Sequence, residues 1–391
     1  MRLNRMVLVL GLASLLTDLS SDMIYPLLPG FLASSLGAGA LALGIIEGAA
    51  ETTAAVLKIA SGIWADRTQR RKPLVVLGYS ISGLVRPLIG FALVWPVVLA
   101  LRVVDRIGKG LRTSPRDALI ADVVPPPQRG RAYGLHRAMD NAGALLGPLA
   151  ATALLAAGFK MREVFWCAAI PAVLVLVVLV LGVREPERSD SAERSSSTRH
   201  GNLKDLGGGF HRLLLVVVLF TLGNSSDAFI LLLLSKAGFS PAQVAATWGL
   251  HNLVRCVSVY AGGRLADRVD RVRFLGWGWV FYAGVYAGFA WARSPGALVS
   301  LLVLYGLHFG AVEATERALV AEFAPSNLRG VAFGWFHGAV GFSALPASAV
   351  FGALWTYAGP TAAFGLGAGL ALVASALMMT VVSRGQSPAS A

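Results

Sequence analysis

Six charged residues recur at intervals of three and four: Arg102, Asp105, Arg106, Lys109, Arg112 and Arg116. On a helix that spacing gathers them along one stripe. Two pairs of carboxylates also stand one helical turn apart, Asp18 with Asp22 and Glu47 with Glu51, and Lys58 continues the second face. Clustered carboxylates suit the loading and unloading of protons, and a guanidinium beside an ammonium suits an anionic or zwitterionic group. Asp18, Asp22, Glu47 and Glu51 are therefore candidate proton carriers, and Arg106 and Lys109 candidate ligands for a small organic substrate. Bond-making chemistry is not expected. No nucleophile–base pair, metal-ligand spacing or phosphate loop is present, and Gly207-Gly208-Gly209 reads as linker, so the chain is not expected to be an enzyme or to need a cofactor.

The elements that carry these charges are apolar. Hydrophobic residues make up 55% of the 391, charged residues only 14%, and the mean hydropathy is +0.66. A soluble chain of this length would need a larger charged surface. Windows of about twenty residues give about twelve membrane helices. These fall near Met6–Leu32, Leu41–Ala65, Leu74–Leu93, Val97–Ile120, Ala132–Leu155 and Val164–Leu181 in the first half. In the second they fall near Leu213–Leu234, Pro241–Ala266, Phe274–Trp291, Ala297–Val320, Val331–Tyr357 and Ala362–Val382. A charge at the bilayer centre costs roughly 2.5–3.5 kcal/mol on insertion scales, so the stripe on the fourth helix must face protein or water.

The chain repeats itself. Arg116-Asp117-Ala118-Leu119-Ile120-Ala121-Asp122 leads to Pro125 and Arg129-Gly130, and Glu316-Arg317-Ala318-Leu319-Val320-Ala321-Glu322 leads to Pro325 and Arg329-Gly330. Gly62 to Arg67 is echoed by Gly263 to Arg268, and Ser20-Ser21-Asp22 by Ser225-Ser226-Asp227. Two homologous apolar halves are the pattern of a transporter that rocks one half against the other. The expected organisation is a six-helix bundle over residues 1–183, a linker over 184–212 rich in Ser, Arg, Glu and Gly, and a second bundle over 213–391.

The net charge of +13 suggests a nucleic-acid surface until the basic residues are placed. Loop and tail Lys and Arg number roughly nineteen on one membrane face and about four on the other. Topology and attraction to anionic lipid account for that charge, and no nucleic-acid partner is expected. Both termini are expected in the cytoplasm, with the protein an inner-membrane monomer. The first apolar stretch is interrupted by Asp18, Asp22, Pro26 and Pro29, so it does not read as a signal peptide. Cys167 and Cys256 both fall inside helices and indicate neither a disulfide framework nor a zinc site.

Gly62-Ile63-Trp64-Ala65-Asp66-Arg67 with Arg70-Arg71-Lys72 resembles the signature between the second and third helices of the major facilitator superfamily, and Gly263 to Arg268 with Arg271 and Arg273 resembles its second copy. The glycine usual after the Asp-Arg pair is Gln69 in one copy and Asp270 in the other. Arg106-Ile107-Gly108-Lys109-Gly110 resembles the fourth-helix motif of that superfamily. Gly143-Ala144-Leu145-Leu146-Gly147-Pro148 resembles its fifth-helix motif associated with antiporters, and is equally a packing device. The resemblance covers nearly the whole chain. It implies an all-α fold of twelve transmembrane helices in two pseudo-symmetric six-helix bundles, with the first, fourth, seventh and tenth helices lining a central cavity.

Carried over by position, Arg102, Arg106, Lys109, Tyr25, Asn224 and Asp227 would face that cavity. His251, His308 and His337 read as packing groups rather than metal ligands. Asp66, Arg67, Arg116, Asp117, Asp267, Arg268, Glu316 and Arg317 form the expected cytoplasmic gate. Arg116-Asp117 and Glu316-Arg317 carry their charges in reverse order, which would let Arg116 meet Glu316 and Asp117 meet Arg317. Pairing within each half, to Asp66 and Asp267, is the alternative. The functional expectation is proton-coupled export of a small organic molecule by alternating access. Uptake of an organic anion by proton symport would use the same parts. A non-transporting sensor or scaffold is the reading of another class, and tails too short for a signalling domain count against it.

Overall fold

The computed structural model describes residues 5–68, 71–124, 129–182, 203–266, 268–325 and 328–382; side chains at 65–68, 121–122, 129–131, 263–264, 314 and 329–330 lie outside the description. Among the described residues there are helices and no strands. The helices of the first half are α1 (Arg5–Ile24), α2 (Leu28–Ser35), α3 (Ala40–Thr68), α4 (Lys72–Leu88), α5 (Trp95–Val123), α6 (Arg129–Ala156), α7 (Met161–Cys167) and α8 (Ala169–Gly182). The second half holds α9 (Gly208–Gly223), α10 (Ala228–Lys236), α11 (Pro241–Ala266), α12 (Arg271–Trp291), α13 (Pro295–Phe323) and α14 (Arg329–Leu377).

Proline and glycine set the breaks. Pro26 and Pro29 interrupt the first passage, so α1 turns through a 3-10 segment at Tyr25–Leu27 into α2. The seventh passage breaks between Gly223 and Ala228, at the polar run from Asn224 to Asp227. Within α14, Gly359 takes φ 85° and ψ 169°, followed by Pro360, which ends one passage and starts the next. Counting these, the chain makes twelve passages among the described residues. Among the described residues eight segments are long and apolar enough to cross a membrane by length and composition alone, with α14 as one of them. α5 and α11 are less apolar because charged or polar side chains interrupt them, and α12 because Gly, Trp and Tyr fill its body.

Chain contacts divide the molecule into two compact units: Met1–Arg188 with Asp227–Asn252, and Ser189–Ser226 with Leu253–Ala391. In the first unit α1 packs along α6, and α5 lies against both α3 and α4. In the second, α12 packs on α13 and α14, and α9 on α14. Glycines permit the closest crossings. A Cβ on Gly108 would stand 2.5 Å from the Gly78 carbonyl oxygen, and one on Gly262 would stand 1.9 Å from that of Gly310. Asp270, which replaces a signature glycine, caps α12 by accepting a hydrogen bond from the Arg273 amide at 2.8 Å.

Candidate functional site

The charged stripe on α5 does not face one way. Asp105 is its hub, 1% exposed, and receives Arg86 Nε from α4 at 2.9 Å, Arg106 at 3.4 Å and Arg102 at 3.9 Å. Arg102 turns to α3 and meets Glu47 at 2.7 Å, with both groups buried. Arg106 also turns to α3 and lies 3.3 Å from Glu51, whose side chain is 44% exposed. Arg112 turns the other way: it donates to Ser82 Oγ on α4 at 2.6 Å and covers the Tyr79 ring at 4.6 Å. Ser82 in turn donates to the Asp105 carbonyl oxygen. Desolvated ions survive only when partnered on several sides, which explains the density of contacts around Asp105.

Lys109 sits on the Arg106 side of the stripe, half-buried. Among the described residues it has no carboxylate within 4.0 Å; Glu51 and Asp18 act on it from farther away. Asp18 and Asp22 on α1 are half-buried. Asp18 lies close to Asp140 of α6, which accepts from Ser14 Oγ and, at 3.0 Å, from Arg137. Asp22 is within electrostatic reach of Lys109, Arg86 and Arg106. Tyr25 lies under the Arg102 guanidinium at 5.8 Å and against the Trp248 ring at 5.6 Å. Sequence reasoning did not single out Arg86 or Trp248. A lone arginine inside an apolar window was the available signal for the first; nothing in spacing marked the second.

The second unit is built differently. Arg255 of α11 meets Glu313 of α13 at 3.3 Å and covers the Phe309 ring at 3.9 Å, and Arg317 reaches the same Glu313 at 3.3 Å. Its interior is aromatic: Phe220 stacks on Trp279 at 4.5 Å, Tyr282 on Tyr286 at 4.1 Å, and His308 lies 5.0 Å from Tyr282. Asn224, at the end of α9, accepts a hydrogen bond from Tyr282 at 3.1 Å. Asp227 begins α10.

Of the expected gate, Arg116 binds its own neighbour Asp117 at 2.9 Å and donates to Ser14. Glu316 lies beside Arg317, Glu313 and Trp279. Arg268 is exposed at the end of α11. Asp267 lies outside the described residues, as do the side chains of Asp66 and Arg67.

Comparison with known proteins gives this arrangement its family. The model of the Major Facilitator Superfamily matches residues 10–345 and 213–391. An uncharacterised MFS-type transporter of Methanocaldococcus jannaschii is 31% identical over 97% of this chain and 95% of its own length. The chain belongs to the major facilitator superfamily. Multidrug resistance protein 2 of Bacillus subtilis is 25% identical over 80% of this chain and 78% of its own. Among solved structures, a D-xylose-proton symporter shares the fold with a TM-score of 0.77 at 17% identity, over 96% of this chain and 97% of that one. The protein is thus a multi-pass membrane transporter. In this member the run that resembles the superfamily's antiporter-associated motif packs α6 on α1: a Cβ on Gly143 would stand 2.3 Å from the Leu15 carbonyl oxygen, and one on Gly147 2.8 Å from Asp22 Cβ. The motif glycines seat the two candidate carboxylates of α1 directly against α6.

Proposed function

We propose that this transporter exports a small anionic or zwitterionic organic molecule in exchange for protons, from a monomer in the inner membrane with both termini in the cytoplasm. The observation that carries the reading is the Arg106–Lys109 face of α5. It pairs with a half-exposed Glu51 and is overlooked by Asp18 and Asp22, so cations able to bind an anion adjoin acids able to carry protons. Glu47 is held by Arg102 and serves as its counter-ion; Asp18, Asp22 and Glu51 are left as carriers. Tyr25 and Arg102 border the same face, and Asn224 and Asp227 flank the break in the seventh passage as further candidate contacts. A proton taken up outside and released inside changes the charge of this network and with it the favoured conformation. The multidrug-resistance name of the Bacillus relative supports the outward direction.

The test uses everted vesicles with an acid interior and compounds chosen by thermal-shift screening of the purified protein. Adding a stabilising compound outside is expected to dissipate the gradient as substrate enters and protons leave. Substrate moving out of the vesicles together with protons would replace export by uptake through symport, and transport indifferent to the gradient would remove the coupling.

A further inference from the structure

We infer that Glu51 is the resting occupant of an oxyanion site formed by Arg106, Lys109 and Lys58, and that the substrate's carboxylate or phosphoryl group displaces it. The inference rests on the proposed anionic substrate and goes further, because it assigns the site's shape, a third cation and a competitor. Two ion pairs one turn apart on α3 differ sharply. Glu47 and Arg102 are both buried and bonded at 2.7 Å, a closed pair. Glu51 and Arg106 stand at 3.3 Å with the carboxylate 44% exposed and no hydrogen bond between them, whereas Arg102 donates to Glu47; the Nε of both arginines is buried without a hydrogen-bond partner. A carboxylate half open to water that makes no hydrogen bond to the guanidinium beside it is a loose occupant of its site.

The surrounding charges point the same way. Lys109 from α5 and Lys58 from α3 both act on Glu51, and neither has a carboxylate within 4.0 Å among the described residues. Arg106 at 3.3 Å and, from farther away, Lys109, Lys58 and Arg102 thus act on one open carboxylate, while Asp18 and Asp22 on α1 and Asp117 on α5 act on the lysines or on Arg106 from a distance. An oxyanion with more acceptor oxygens can bond Arg106 Nε and draw in both ammonium groups. The displaced Glu51 then moves into water on its flexible stem.

The experiment is anion binding to the purified full chain in detergent, with inorganic phosphate and succinate as probes at constant ionic strength and no proton gradient. Glu51→Gln vacates the site and keeps its cations, so it should tighten binding of at least one probe about tenfold. Lys109→Gln and Lys58→Gln should each weaken binding and leave the folded fraction unchanged. Phosphate favoured over succinate would assign a phosphoryl group, and the reverse a carboxylate. Binding that is unchanged or weaker in Glu51→Gln, or no binding of either probe to that variant, overturns the inference. Should Glu51→Gln bind tightly while vesicles show no proton exchange, the coupling fails and the anion site stands.

Discussion

Helices α5 and α13 are each 29 residues long and begin two hundred residues apart, so their neighbourhoods can be compared position by position. Gly78 lies on Gly108 and Arg112 in one copy, and Gly278 on Ala311 and Val312 in the other. Gly110 lies on Leu57 of α3 and Gly310 on Ser258 of α11. The side chains between these backbone contacts have diverged completely. Where Arg86 meets Asp105 at 2.9 Å, Tyr286 meets Tyr305 at a ring distance of 6.1 Å. Lys109 corresponds to Phe309, Arg106 to Gly306 and Arg102 to Leu302. One scaffold thus carries an ionic network in its first copy and a ring network in its second.

The difference separates what holds the scaffold from what the scaffold is for. Ring contacts contribute about 0.5–1.5 kcal/mol each beyond the area they bury and require no compensation. Buried ions cost several kcal/mol of desolvation each, and well-packed apolar groups often replace them without loss. The second copy fills the matching positions with rings at Tyr286, Tyr305 and Phe309 and with Leu302 and Gly306, so packing alone does not require ions there. The transport cycle proposed above would use them.

The sharpest way to break the comparison is to remove its two hubs. Asp105→Ala leaves Arg86, Arg102 and Arg106 short of a shared counter-ion and should destabilise the protein by about 3–5 kcal/mol. Tyr305→Phe at the matching position keeps the ring and should cost about 1 kcal/mol or less. Thermal unfolding of the purified variants reads both; equal losses would mean that the ionic hub is no more demanding than the ring.

A second contrast lies at Ser82, which accepts from Arg112 at 2.6 Å and donates to the Asp105 carbonyl. Ser82→Ala removes a charge-assisted bond inside the network and should cost about 1.5–3 kcal/mol. An unfolding temperature matching the wild type would show that Arg112 is held by the Tyr79 ring alone.

Sequence and structure agree on the fold, while the pairing around Asp105 was not legible in the sequence, for a physical reason. Hydropathy and repetition revealed the twelve passages because bilayer thickness fixes their length. The Asn224–Asp227 break was visible only as a polar run inside an apolar window. The stripe from Arg102 to Arg116 was legible as a helical face, yet helical spacing says nothing about which neighbour each side chain meets. Arg102 and Arg106 turned to α3, Arg112 to α4, and Arg86 joined from a helix whose one charge beyond its first residue gave no partner. Trp248 beside Tyr25 depends on tertiary packing, which no local pattern records.

Where the copies agree, a substitution should act on both alike. Gly78→Ala and Gly278→Ala each place a methyl group against the facing helix, 2.6 Å from the Gly108 carbonyl oxygen and 2.7 Å from Ala311 Cβ before relaxation. The helices must shift in either case, costing about 1–3 kcal/mol, with the larger loss at Gly78, where the obstacle is backbone. If only one of the two destabilises, the crossings are not equivalent and the shared-scaffold argument fails at that pair.

The smallest expected effect tests whether the ring network tolerates loss of its polar groups. Tyr282 is fully buried, stacks on Tyr286, and sends its hydroxyl to Asn224 Oδ1 at 3.1 Å, with the Gly223 carbonyl at 3.4 Å, where α9 ends. Tyr282→Phe preserves ring and stacking, so only the hydrogen bond is lost. A neutral bond of this kind contributes about 0.5–1.5 kcal/mol, and Asn224 stands half-buried where other donors can reach it, which puts the loss at the lower end. Its counterpart in the ionic copy is Ser82, so Tyr282→Phe should destabilise less than Ser82→Ala. The reverse order would show that the break after α9 depends on this hydroxyl, and that the second copy has a polar linchpin of its own.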